Sequence, residues 1–179
     1  PQLIKEYQLL TAKPIIYLAN IDEDDIGNGT NNYVETIKEN IQTEATEVLQ
    51  ISSQIEADIA ELEPEDRDMF LQDLGLKESG LNRVIKASYN LLDLITFFTI
   101  AGGNEVRATA VKKGATAPEA AGKIHSDMEK GFIKAEVVSF DDLYEAGSIK
   151  EAGEKGWVRL EGKDYVVQDG DVCYFKFNL

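Results

Sequence analysis

Lys13-Pro14-Ile15-Ile16-Tyr17-Leu18-Ala19-Asn20-Ile21-Asp22-Glu23 decides how the chain is read. It is a continuous apolar run that breaks into a polar cluster. A run without alternation predicts a parallel strand over residues 15–19, covered on both faces. Open α/β sheets bind ligands at the carboxyl ends of such strands, which is where Asn20 and Glu23 fall. A carboxamide both donates and accepts, and a carboxylate accepts, so an Asn-x-x-acid strand end suits the edge of a nucleotide base.

Working outward, residues 2–11 read as the end of an amphipathic helix, and residues 22–32 as a polar loop holding Gly27 and Gly29. Tyr33, Val34, Ile37 and Ile41 have helical spacing, and residues 47–51 form a short apolar strand ending at Ser52-Ser53. Strand, helix, strand is half of a doubly wound sheet. Two strands make a poor sheet by themselves, so further strands are expected before Pro1, and the chain is expected to be a fragment. Helices are predicted over 54–62, from Pro64 to about Leu74, and from about Ser79 to Leu92. Pro64 suits a first helical turn and Gly75 a helix stop.

From Leu94 the pattern changes. Residues 94–100 are β-branched and aromatic, 105–111 make a second strand, 118–124 a short helix and 132–138 a third strand. Phe140 to Leu143 begins a helical turn. Further short strands are predicted over 157–161, 165–167 and 172–177. A mixed sheet around one helix in under 90 residues is the β-grasp, ubiquitin-like plan. The fold class is α/β, with one domain over residues 1–93 and a second over 94–179.

The 179 residues carry a net charge of −15, and 43% are hydrophobic. That charge argues against a general nucleic-acid binder, DNA included, or an anionic-membrane binder. The charge is uneven. Residues 1–93 hold 7 basic and 19 acidic residues, a balance of −12; residues 94–179 hold 11 and 14, a balance of −3. Two domains with different partners follow. No apolar run is long enough for a membrane helix. The single cysteine, Cys173, excludes an internal disulfide framework and fits a reducing, cytoplasmic setting. One histidine, His125, makes neither a triad nor a zinc site by itself.

The stretch from Lys13 to Glu23 resembles the base-recognition strand of YchF-type ATPases, relatives of the Obg GTPases. Phe97-Phe98-Thr99, Glu105-Val106-Arg107-Ala108, Ala121-Gly122-Lys123-Ile124-His125 and Glu129-Lys130-Gly131-Phe132-Ile133 resemble that family's C-terminal TGS domain. So do Gly162-Lys163-Asp164-Tyr165 and Gln168-Asp169-Gly170-Asp171-Val172. The resemblance covers essentially the whole chain. It implies the end of a nucleotide-binding G domain (C-terminal part of a P-loop NTPase), then a TGS domain, with residues 1–11 as the tail of a helical insertion. It further implies a P-loop, switch regions and Mg2+-holding residues upstream, and a ribosome-associated ATPase in translation or stress regulation.

Guanine-specific relatives carry Asn-Lys-x-Asp, whose Asp takes both N1–H and N2–H of guanine. Here Ile21 replaces the Lys, and Glu23 is one methylene longer. Adenine offers an acceptor at N1 and a donor at N6, so the guanine pairing cannot form, and an unmet partner discriminates by orders of magnitude. The resemblance implies ATP over GTP, with Asn20 on the purine edge, Ile21 against the base and Glu23 setting specificity. Ser52-Ser53 matches the second base loop, although Ser53 and Gln54 depart from the family's usual Ala and Lys. By themselves, Asn20 to Glu23 are also an ordinary turn start, and Ser52-Ser53 an ordinary helix cap. No Gly-rich phosphate loop with Lys and Ser/Thr is present, so this stretch alone is not expected to hydrolyse ATP. Arg107, Lys112, Lys113, Lys123, His125, Lys130 and Lys134 are candidates for an RNA- or ribosome-facing surface; a solvated domain face is the plainer reading. A non-catalytic β-grasp binding module and a guanine-specific translation GTPase are the competing functions.

Overall fold

The computed structural model describes residues 7, 9–10, 13–26, 31–41, 47–101 and 105–178. The expected helix over 2–11 and the loop glycines Gly27, Gly29, Gly102 and Gly103 fall largely or wholly outside them. The chain divides into two compact units, Pro1–Leu92 and Asp93–Leu179.

In the first unit β1 (Ile16–Asn20) pairs in parallel with β2 (Glu47–Ile51), with Leu18 opposite Leu49 and Asn20 opposite Ile51. A 3-10 turn (Glu23–Asp25) and helix α1 (Asn32–Asn40) connect them. Asn31 caps α1, accepting from Tyr33 N and Val34 N at 3.0 and 3.3 Å, while its amide donates to Asp25 at 2.7 Å. One side chain thereby starts the helix and ties down the loop before it. Helices α2 (Ser53–Glu61), α3 (Pro64–Asp73) and α4 (Gly80–Leu91) follow. The Arg67 guanidinium donates to the Leu62 carbonyl at 2.8 Å, joining α3 to the end of α2. Val34, Leu49, Ile55, Ile59 and Ala87 form the buried apolar set.

The expectation that residues 15–19 are covered on both faces does not hold. Ile15, Tyr17 and Leu18 are 45%, 42% and 48% exposed. The reason is position: α1 and α4 pack on β2, and among the described residues β2 is the one strand beside β1.

In the second unit β3 (Leu94–Ala101), β4 (Glu105–Lys112), β5 (Phe132–Ser139), β6 (Arg159–Glu161) and β7 (Asp171–Phe177) form one sheet in the order β4-β3-β7-β5-β6. The first and last strands lie side by side and parallel, and the remaining pairs are antiparallel. Helices α5 (Ala117–Ile124) and α6 (Ser126–Lys130) lie between β4 and β5 in sequence. This is the β-grasp arrangement. Alternation along β3 separates two packing layers. Ile95 and Phe97 join Val111, Phe132 and Phe175 under α5, whose buried residues are all alanine and let the helix approach closely. Phe98 and Ile100 point the other way, towards Val138, Val172 and helices α7 (Phe140–Ala146) and α8 (Ile149–Glu154).

Two predicted strands differ. Trp157 and Val158 are not in a ladder; they pack on the second layer. Residues 165–167 form no strand, because their backbone is spent on the turn before α5: Ala117 N donates to the Tyr165 carbonyl at 2.8 Å and Val167 N to the Ala115 carbonyl at 3.0 Å. Helices α6 and α8 were not anticipated. Each is under two turns, too short for periodicity to show.

Candidate functional site

The carboxyl ends of β1 and β2 come together. Ile21 N donates to the Ile51 carbonyl at 2.9 Å, extending the ladder one step past the strands. Asn20 is the last residue of β1. Its Oδ1 accepts from both the backbone N and the hydroxyl of Ser53, each at 2.9 Å. One carboxamide oxygen thus clips together two loops 33 residues apart. The Asn20 Nδ2 group has no hydrogen-bond partner among the described residues, so it remains a donor at the site's mouth.

The other expected site residues surround this clip. Ser52 is buried and stands at the cap position of α2, yet its hydroxyl makes no cap bond. Ser53, the first residue of that helix, turns its hydroxyl to Asn20 instead. Ile21 is half-buried, and Glu23 is exposed at the start of the 3-10 turn. Gln54 does not face the clip; its amide donates along the helix to Asp58 at 3.0 Å. Asp22, Glu23, Asp24 and Asp25 follow Ile21 as four consecutive acidic residues; the first three are exposed, and Asp25 accepts from Asn31. Among the described residues, no group of three His, Cys, Asp or Glu side chains is placed to hold a metal ion.

Sequence reading missed two supports of this unit. Asn31 holds Asp25, as described above. Glu56 on α2 accepts from Gly80 N at 2.6 Å and Leu81 N at 3.1 Å, capping α4 across 24 residues. A Cβ at Gly80 would stand 2.8 Å from that carboxylate and 2.9 Å from Ile51. The acid at 56 gave no local sign of this, because a cap supplied from another helix leaves no pattern at the capped end.

The basic residues of the second unit do not gather on one surface. Lys112, Lys113 and Lys123 share a groove of about 480 Å3 with Glu119 and Glu129. Thr116 N and Oγ1 donate to the Glu119 carboxylate at 2.7 and 2.9 Å, and the backbone bond first, then the hydroxyl, lowers its pKa. Arg107 is four residues down β4 from Val111, roughly 13 Å away, and pairs with Glu105 at 2.8 Å. Lys130 ends α6. His125 caps that helix, its Nδ1 accepting from Asp127 N at 3.2 Å. Lys134 lies opposite Lys176, on the sheet face away from α5 and α6.

The motif Gln168-Asp169-Gly170-Asp171 is structural. Asp169 accepts from Thr96 N at 2.8 Å. Asp171 is buried and accepts from the Tyr165 hydroxyl at 2.7 Å and Gln168 N at 2.8 Å. Burial first, then this hydrogen bond, raises the Tyr165 pKa. Cys173 sits in the core, where burial pushes its thiol up to about 12. It is a packed side chain rather than a reactive one.

Residues 94–178 match the family model YchF-GTPase_C, described as "Protein of unknown function (DUF933)". "Ribosome-binding ATPase YchF" of Bacillus subtilis is 54% identical over 99% of this chain and 49% of its own length. The Escherichia coli O157:H7 protein of the same name is 51% identical over 98% of this chain and 48% of its own length. "Obg-like ATPase 1" of Rattus norvegicus is 41% identical over 99% and 45%. The chain spans about half the length of these curated relatives. The "Structure of the Schizosaccharomyces pombe YchF GTPase" superposes with a TM-score of 0.83 at 34% identity, covering 98% of this chain and 46% of that one. A GTP-binding protein of Pyrococcus horikoshii OT3 shares the fold at a TM-score of 0.60 and 19% identity, over 93% of this chain and 46% of that one. The fold is the C-terminal part of a P-loop NTPase domain followed by a β-grasp domain of TGS type. Relatives more than half identical, matched from end to end of these residues, and the family's own model on the second unit leave one assignment: the chain belongs to the YchF family.

Proposed function

We propose that this chain supplies the purine-recognition end of an ATP-preferring, ribosome-associated, cytoplasmic NTPase together with its TGS binding domain. The observation that carries the reading is the Asn20–Ser53 clip. It fixes two strand-end loops against each other and leaves Nδ2 as a positioned donor for an acceptor on the purine edge. Ile21 packs against the base. Glu23 sets specificity, because its longer side chain and the missing lysine do not reproduce the guanine pairing. Ser52 and Ser53 shape the second loop. Relatives are named ATPases, whereas the fission yeast structure is described as a GTPase; Ile21 and Glu23 favour adenine. The ATP phosphates and their Mg2+ would be held away from the acidic residues 22–25, and no ligand of that ion is assigned to the described residues.

Competition of ATP and GTP for a labelled nucleotide on a full-length YchF protein carrying these residues tests the reading. ATP wins, and Ile21→Lys with Glu23→Asp moves the preference at least about 10-fold towards GTP, the scale on which an unmet hydrogen-bonding partner discriminates. Failure of either nucleotide to bind sinks the site. The chain of 179 residues by itself is expected to turn over no ATP.

For the second unit we propose a ribosome- or RNA-contacting role centred on Lys112, Lys113 and Lys123. Their grouping around one groove supports it. Reversing these three charges weakens ribosome co-sedimentation and flattens its salt dependence. Unchanged sedimentation overturns it.

A further inference from the structure

Three aromatic rings form a ladder from the half-buried sheet face of the second unit to its surface. Phe98, on the sheet face that packs against Val172 and Leu143, lies 6.1 Å from the ring of Phe140. Phe140 in turn stacks on Tyr144, one helical turn further, with centroids 6.0 Å apart and planes at 23°. Phe140 is 50% exposed and Tyr144 80% exposed. Exposed aromatic side chains held in one geometry by a half-buried anchor are costly in water and well suited to binding, since little rotamer freedom is lost on contact.

The helix that carries the outer two rings has no basic residue. Its sequence is Phe140-Asp141-Asp142-Leu143-Tyr144-Glu145-Ala146. Leu143 and Ala146 face the core, so Phe140 and Tyr144 form one outward stripe, and Asp141 and Glu145, each one position on, form the stripe beside it. Neither carboxylate has an ion-pair partner among the described residues. A ring face beside an unpaired carboxylate is the arrangement that takes a guanidinium or ammonium group, through cation–π attraction and a charge-assisted hydrogen bond together. Phe98 and Ile100 are successive residues on the same face of β3, so the ladder leads towards an apolar groove of about 480 Å3 lined by Ile100, Val138, Ile149, Val158, Val172 and Tyr174. The surface thus offers an acidic-aromatic stripe and, on the same sheet face, an apolar slot.

We infer that the exposed face of α7 docks an arginine- or lysine-bearing segment of a partner protein, its cations seated on Tyr144 and Phe140 against Asp141 and Glu145, with an apolar side chain in the groove beside them. Charge complementarity selects this occupant: a nucleic acid would bring phosphates onto a helix that carries three carboxylates and no base. The inference is independent of the nucleotide reading.

The test uses the whole chain and a fluorescein-labelled peptide alternating Arg and Ser, followed by fluorescence polarisation at low salt. Binding is expected, with Tyr144→Ala weakening it at least about 5-fold and Tyr144→Phe retaining it, because the ring and not the hydroxyl is used. Asp141→Asn with Glu145→Gln weakens it more than Glu151→Gln with Glu154→Gln, which removes the same charge from α8. Tyr144 is largely exposed, so circular dichroism and the thermal midpoint of its variants should match the parent. No binding, an unaffected Tyr144→Ala variant, or equal losses from the two double variants would each overturn the proposal.

Discussion

At Asn20, the proposed base contact and a structural clip fall on one side chain. Its oxygen is committed to Ser53, and its nitrogen, without a partner among the described residues, is the group proposed to meet the ligand. Asn20→Ala therefore removes a loop clip and a donor at once. Each hydrogen bond contributes about 1 kcal/mol, so nucleotide affinity of the full-length protein should fall at least about 10-fold, read by titration calorimetry, while Ser53→Ala costs less because its backbone N–H still reaches Asn20. Gly131 acts differently. A Cβ there would run into the Asn178 carbonyl, and the Gly131 carbonyl itself accepts from Asn178 N at 2.9 Å. Backbone cannot give as a side-chain tip can. Gly131→Ala should cost about 1–3 kcal/mol, measured as a lower urea midpoint with unchanged slope. Cys173 gives a pH signature. Its folded pKa lies above the unfolded value, from 9.0 up to about 12. Stability from this group is intact below pH 9 and is lost as pH rises from there towards 12. The thermal midpoint should decline across that window, and Cys173→Ala should flatten the decline, leaving the part due to Tyr165.

At the scale of elements, stability is decided at helix starts. Thr116 with Glu119 opens α5 from within its own sequence, and Ser79 opens α4 with a hydroxyl that accepts from Asn82 N at 3.2 Å. Glu56 adds a cap to α4 from outside. Its charge meets two free N–H groups at the positive end of the helix. Glu56→Ala should destabilise the first unit by about 1–2 kcal/mol, with hydrogen exchange faster through the first turn of α4 and unchanged in the second unit. An effect confined to residues 53–61 would contradict the capping role. Strand β7 is an element of a second kind. Asp169 and Gly170 stitch its approach to Thr96 of β3, with the Gly170 N–H reaching the Thr96 carbonyl at 2.8 Å. The family motif at 168–171 is therefore a register device for the central parallel pair.

At the scale of the molecule, the two units differ in self-sufficiency. The second has a five-stranded sheet with apolar layers on both faces. The first has two paired strands and an exposed apolar strand face. A two-stranded sheet is marginal in water. Residues 93–179 made alone should give a dispersed amide spectrum and a cooperative melt, whereas residues 1–92 alone should melt lower and associate. A broad, non-cooperative melt of residues 93–179 would count against their independence.

The sequence by itself determined the kind, order and approximate limits of the longer elements. Each of these is written in a local period or a local cap: the apolar run at 15–19, the alternation in 94–100, Pro64 at a helix start, Gly75 at a helix stop. It also placed Asn20 and Ser53 at strand ends, and motif resemblance linked them to one family. Tertiary structure alone decided the rest. It set which strand lies beside which, so that the first and last strands of the second unit became neighbours. It brought Glu56 to the end of another helix, and it kept Lys112, Lys113 and Lys123 around one groove while placing Lys134 on the other face of the sheet. These outcomes depend on contacts between residues far apart along the chain. Their energies come from packing and from hydrogen bonds made only once the chain has closed, and no local pattern records them.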